Sequence, residues 1–189
     1  MKAVELIDVT KKYGEQEVLN SFSLDIEKGK CLAIMGESGS GKSTIAKIII
    51  GLEKQNSGEV KVFEKDIEFL FQDSYNALNP NMTVEDLIYE PLQFLPDIDV
   101  KNKRELVLEL LEQVELSSEL LTRKRNELSG GQLQRVCLAR ALSTKPQIMI
   151  FDESLSGLDP LVQDKILDLL YKLQKQYQLT YIFISHDIR

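Results

Sequence analysis

Cys31-Leu32-Ala33-Ile34-Met35-Gly36-Glu37-Ser38-Gly39-Ser40-Gly41-Lys42-Ser43-Thr44 is an apolar run that breaks into a glycine-rich loop and ends on Lys-Ser-Thr. A continuous apolar pentapeptide reads as a buried strand. Lys42 to Gly51 has helical character, so the local order is strand, loop, helix. The loop satisfies G-x-x-x-x-G-K-[ST] in the context that gives this pattern meaning. Glycines let backbone N–H groups curl around a phosphate chain, and the helix N-terminus adds partial positive charge. Gly36, Ser38, Gly39, Ser40, Gly41, Lys42, Ser43 and Thr44 are therefore candidate phosphate-binding residues. Lys42 should reach the β and γ phosphates of a nucleotide, and Ser43 should offer its hydroxyl to Mg²⁺.

Ile148-Met149-Ile150-Phe151-Asp152-Glu153 supplies the second half of such a site: an apolar strand that ends in carboxylates. Asp152 is the candidate on the metal side. Glu153 is placed to orient or deprotonate an attacking water, although taken without its neighbours it reads as a solvated strand-end carboxylate.

Outward from these two stretches the chain alternates. Residues 3–9 and 17–26 show the period of half-exposed strands around a Tyr13-Gly14 turn, and 58–63 and 67–71 add two short strands. From Thr83 to about Glu127 the spacing turns helical, with Leu106, Leu110, Leu111 and Val114 on one face. A helix over 130–143, a strand over 148–151, a helix over 161–177 and a strand over 181–184 restore α/β order. The fold class is α/β: a P-loop NTPase core with a mainly parallel sheet, an antiparallel β layer and a helical insertion. The expected division is a core of 1–72 and 129–189 with a helical subdomain of 73–128.

Composition limits the partners. The 189 residues carry 23 Lys plus Arg against 30 Asp plus Glu, a net charge of −7, which excludes coating nucleic acid by bulk charge. Arg123-Lys124-Arg125 and Lys101-Asn102-Lys103-Arg104 read as solvated faces, with no nucleic-acid role. Cys31 and Cys137 both lie in apolar stretches and read as buried free thiols. No stretch approaches the roughly 20 apolar residues of a membrane span.

Leu128-Ser129-Gly130-Gly131-Gln132 resembles the signature of the nucleotide-binding subunits of ABC transporters. Ser129 and two glycines at a helix N-terminus form a second phosphate-binding end, in which Gln132 shares. The resemblance implies the ABC ATPase fold, ATP and Mg²⁺ as ligands, and closure of this end on the ATP of a second cassette, identical or paralogous, in a head-to-tail dimer. It implies further roles residue by residue. Tyr13 matches the aromatic that stacks on adenine, though alone it reads as a surface turn tyrosine. Gln72 matches the glutamine that senses Mg²⁺ and the γ-phosphate, and Asp159, in Ser156-Gly157-Leu158-Asp159, the residue that links the two sites. His186, the single histidine, matches the switch residue on the γ-phosphate.

Phe71-Gln72-Asp73 through Asn79-Pro80 and on to Glu90-Pro91-Leu92 resembles the peptide/nickel importer branch. The resemblance implies a peripheral subunit on the cytoplasmic side of the cell membrane, working with two membrane permease subunits and, indirectly, an extracellular binding protein. Residues around 73–95 become the expected docking face. Between Gly58 and Gln72 the segment is shorter than the branch usually has, a feature of some metal-opine and nickel cassettes, which turns the expected cargo from peptide towards a metal or metallophore. Ser154 stands where proline is usual, and the chain stops at Arg189 where the family continues, so a C-terminal part of the usual domain is expected to be missing. The alternative function is a soluble ABC-type ATPase acting on a cytosolic partner without transport; the tandem cassettes or coiled-coil insertions typical of such proteins do not occur here.

Overall fold

The computed structural model describes residues 1–71, 76, 78–94, 102–155 and 158–185. Contacts divide it into two compact units, one of residues 1–72, 147–156 and 174–189, the other of 73–146 and 157–173.

The first unit holds two sheets. β1 (Lys2–Tyr13) and β2 (Gln16–Glu27) form a long hairpin closed at Gly14, and β4 (Ser57–Val62) pairs antiparallel on the other side of β1. The strands outrun their alternating stretches because the ladder continues through register shifts, where Asp8 and Ser21 take positive φ. Gly58 sits against the first of these: its φ is +89°, and a Cβ there would lie 2.4 Å from the Asp8 carbonyl oxygen.

The second sheet is parallel, in the order β3 (Cys31–Met35), β7 (Thr180–Ser185), β6 (Ile148–Asp152), β5 (Ile67–Leu70). β6 and β7 are central, and the first four residues of β6 are fully buried, as an uninterrupted apolar run requires. Phe151 stacks on Phe183 at 4.7 Å between ring centroids and meets Tyr181 edge-on at 5.4 Å. Leu6, Val9, Ile26, Ile45, Ile49, Ile150 and Ile182 join both sheets and α1 (Lys42–Ile49) in one core.

Cys31 departs from the reading of a buried thiol: it is exposed, because β3 is an edge strand whose residues 31, 33 and 35 face outward. Cys137 is buried as expected, and burial pushes its thiol up to about 12.

The second unit is helical: α2 (Val84–Tyr89), α3 (Lys103–Gln113), α4 (Gly130–Ser143) and most of α5 (Pro160–Tyr177). Thr83 caps α2 by accepting from the Asp86 N–H, and the helix tightens into a 3-10 turn over Glu90–Phe94, where Pro91 has no N–H to give. α4 packs on α2 and α3, and an Arg140–Glu90 ion pair at 2.8 Å ties α4 to that 3-10 turn. Among the described residues no helix is long and apolar enough to cross a membrane.

Gly58→Ala should destabilise the protein by about 2 kcal/mol or more, since it adds left-handed strain to a clash with immovable backbone. Urea unfolding monitored by circular dichroism reads this directly. An unchanged midpoint would show that the β1–β4 ladder can move aside.

Candidate functional site

β3 delivers the chain into the loop at Gly36, and the loop returns it to helix at Gly41. Gly41 has φ +92°, and a Cβ would fall 2.9 Å from Val18 Cγ1 and 3.0 Å from the Val18 carbonyl oxygen, so a side chain is excluded twice over. As the N-cap of α1 it offers no side-chain hydrogen bond, and the first turn carries no acidic residue. The first-turn N–H groups and the helix dipole are thus left for an anion.

Lys42 is 7% exposed. Its ammonium donates to the carbonyl oxygens of Gly36 at 2.8 Å and Glu37 at 2.7 Å, bracing the loop from inside. Reaching a phosphate means exchanging these two neutral acceptors for charged ones, a stronger bond.

Ser43 Oγ donates to Asp152 Oδ1 at 3.0 Å, which joins the helix start to the end of β6. Asp152 is held above the ordinary carboxylate range, first by burial and then by the neighbouring Glu153 charge, while the Ser43 bond pulls the other way. A hydroxyl and a costly carboxylate side by side are hard oxygen donors suited to Mg²⁺. Among the described residues no group of three or more His, Cys, Asp or Glu could form an all-protein cage, so further ligands would come from phosphate and water.

Glu153 follows with φ +51°, its N–H bonded to the Ile184 carbonyl at 3.0 Å. That left-handed residue ends β6 just after Asp152. The next residue, Ser154, is buried, and among the described residues its hydroxyl has no hydrogen-bond partner.

Tyr13, at the end of β1, is 44% exposed, with the Lys11 ammonium 4.8 Å from its ring centroid. Lys11 itself is anchored by Glu53 at 2.8 Å and the Lys54 carbonyl at 2.7 Å. No local sequence signal marks this support of the ring, because its members lie over 40 residues apart.

In the second unit Ser129 and Gln132 form a capping box: Ser129 Oγ accepts from the Gln132 N–H at 3.3 Å, and Gln132 Oε1 from the Ser129 N–H at 2.9 Å. A Cβ on Gly131 would meet Val162 Cγ1 at 2.9 Å, so this glycine also serves the packing of α4 on α5; Gly130 faces open space. Asp159 caps α5, accepting from the Leu161 N–H at 3.0 Å. Gln72 and His186 lie outside the described residues, as do Ser156 and Gly157.

A glycine-rich strand-to-helix loop, an inward lysine and a strand-end carboxylate bonded to the following serine define a P-loop nucleotide-binding protein. The ABC transporter family profile matches residues 19–156. NikE of Shigella dysenteriae, a nickel import ATP-binding protein, is 40% identical over 193 aligned residues, covering 94% of this chain and 72% of its own. NikE of Escherichia coli K12 shows the same identity and coverage. Among solved structures, cbiO1 of Clostridium perfringens, part of the ABC transporter complex cbiONQ, superposes with a TM-score of 0.89 at 27% identity, covering 99% of this chain and 79% of that one. The dimeric cassette MJ0796, bound to ADP and phosphate after hydrolysis, gives 0.81 at 36% identity, with 98% and 88% covered. The chain belongs to the ABC transporter family and is one of its ATP-binding, ATP-hydrolysing cassettes.

Ser154→Ala removes a buried hydroxyl without a partner and should raise the unfolding free energy by about 1 kcal/mol. Thermal melts of the nucleotide-free protein test it. A lower melting temperature would mean that the hydroxyl is bonded in solution.

Proposed function

We propose that this chain powers uptake of nickel or a nickel chelate, as the Mg-ATP-hydrolysing subunit of an importer on the cytoplasmic face of the membrane. The observation that carries the cargo is the 40% identity with NikE across 94% of the chain. The short connection from Gly58 to Gln72 points the same way. A second cassette, identical or paralogous, completes a head-to-tail pair. Two membrane subunits dock around residues 73–95, of which 73–75, 77 and 95 lie outside the described residues. Phe94, 82% exposed at the end of its 3-10 turn, offers that face an apolar contact.

In the reaction Lys42 leaves the Gly36 and Glu37 carbonyls for the β and γ phosphates, and the N–H groups of residues 41–44 hold the phosphate chain. Ser43 and Asp152 would hold Mg²⁺, whose positive charge would offset that of the phosphate chain. Glu153 accepts the proton of a water whose oxygen bonds to the γ-phosphorus while the bond to the β-phosphate oxygen breaks, leaving ADP and phosphate. Gln72 and His186 are assigned to the γ-phosphate, Tyr13 to adenine, and Asp159 to communication between the two sites. Ser129, Gly130, Gly131 and Gln132 close on the partner cassette's ATP.

Glu153→Gln should keep nucleotide affinity while turnover falls by about 10² to 10⁴. Phosphate release and nucleotide binding, measured on one preparation, check both halves; wild-type turnover would remove the base assignment. For the cargo, cells whose gene carries Lys42→Ala should lose uptake of labelled nickel and keep uptake of labelled oligopeptide. Loss of peptide uptake alone would reverse the assignment.

A further inference from the structure

The run Arg123-Lys124-Arg125 reads in the sequence as a solvated face, and for Arg125 that reading fails. Its guanidinium is a fork closed on a loop 49 residues away. Nη1 donates to the Asn76 carbonyl at 3.1 Å and to the Leu78 carbonyl at 3.3 Å, while Nη2 donates to Asn76 Oδ1 at 2.8 Å. Holding an arginine in one geometry costs about 2 kcal/mol of rotamer freedom, which its three hydrogen bonds, one of them to the carbonyl of buried Leu78, must offset. The fork therefore restrains two segments and, at Leu78, also satisfies a part-buried carbonyl.

The two segments are joined again just beyond the fork. The Val84 N–H donates to the Arg123 carbonyl at 2.9 Å, the Glu85 N–H to the Leu121 carbonyl at 3.0 Å, and Thr83 bridges Lys124. On the other side of Arg125 the chain is equally tight. The Leu128 N–H donates to the Arg125 carbonyl at 3.3 Å, and the Glu127 carboxylate accepts from the Lys124 N–H at 2.7 Å and from Arg123 at 3.0 Å. These bonds, the Lys124 N–H foremost, hold the Glu127 carboxyl below its usual range. The next residue after Leu128 is Ser129, which caps α4. A displacement of the loop at Asn76–Leu78 thus reaches Ser129 through one side chain and one turn of backbone.

We propose that Arg125 is a positioning residue for the Ser129–Gln132 turn, coupling it to the loop at Asn76–Leu78 so that a subunit docked on that loop sets how the turn meets nucleotide. This rests on the docking of membrane subunits around residues 73–95. An arginine is required because a fork grips two carbonyls and an amide at once, which a single ammonium cannot reproduce.

The test compares Arg125→Ala, Arg125→Lys, Asn76→Ala and the Arg125→Ala/Asn76→Ala double variant with wild type. Each is measured as the cassette alone and as the transporter assembled with its own membrane subunits in lipid nanodiscs. In the cassette alone, Arg125→Ala should leave kcat and KM for ATP within about twofold of wild type. In the assembled transporter KM for ATP should rise about tenfold while kcat at saturating ATP changes far less. Arg125→Lys should recover part of this. Asn76→Ala, which keeps both carbonyls and so the fold, should show a smaller rise on its own and add little to Arg125→Ala. An unchanged KM in the assembled transporter overturns the proposal, and so does an equal rise in the cassette alone, which marks a merely structural role. Docking is judged separately in wild type: if assembly leaves its ATPase unaltered, the docking reading fails and the coupling falls with it.

Discussion

A hydroxyl and a carboxylate 109 residues apart meet at 3.0 Å, and the nucleotide site depends on that meeting. Ser43 opens α1 and Asp152 ends β6, so the bond between them requires the parallel register of β6 with β7 and of β7 with β3. That register follows from continuous apolar strands, which are stable when both faces are covered. Burial also makes the Asp152 charge costly, and a divalent cation relieves such a cost. The same packing that builds the core therefore brings a hydroxyl and a half-buried carboxylate together at the end of β6.

The phosphate side obeys a different constraint. Gly41 must be glycine because both its φ and the approach of Val18 exclude a Cβ, so the hairpin of the antiparallel sheet helps to shape the loop of the parallel one. Lys42 keeps that loop curled on its own carbonyls. In the second unit the capping box of Ser129 and Gln132 performs a comparable task, fixing a helix N-terminus with Gly130 facing open space. The Arg125 fork ties the approach to that N-terminus to the loop at Asn76–Leu78, so the turn is held from both ends.

What could be read in advance followed from local rules. The strand-loop-helix at 31–49, the strand end at Asp152 and the cap at Ser129 are written in consecutive residues, and the structure places them as such. The exposure of Cys31 is not legible in the sequence, because an apolar run does not distinguish an edge strand from a central one. β1 and β2 run beyond their alternating residues because bulges at Asp8 and Ser21 shift the alternation without ending the ladder. Arg125 carried no signal at all: its partners are backbone carbonyls, which have no sequence identity, at a separation of nearly 50 residues. Family resemblance added roles for residues that spacing alone could not assign, Tyr13 and Asp159 among them.

If the loop at 36–44 is the ATP site with Ser43 and Asp152 on its metal side, nucleotide binding must depend on Mg²⁺. Titration of the wild-type protein with a fluorescent ATP analogue, with and without Mg²⁺, tests this most directly. One saturable site per chain, tightened by Mg²⁺ and displaced by unlabelled ATP, is the predicted result. Absence of saturable binding, or binding indifferent to Mg²⁺, would contradict it.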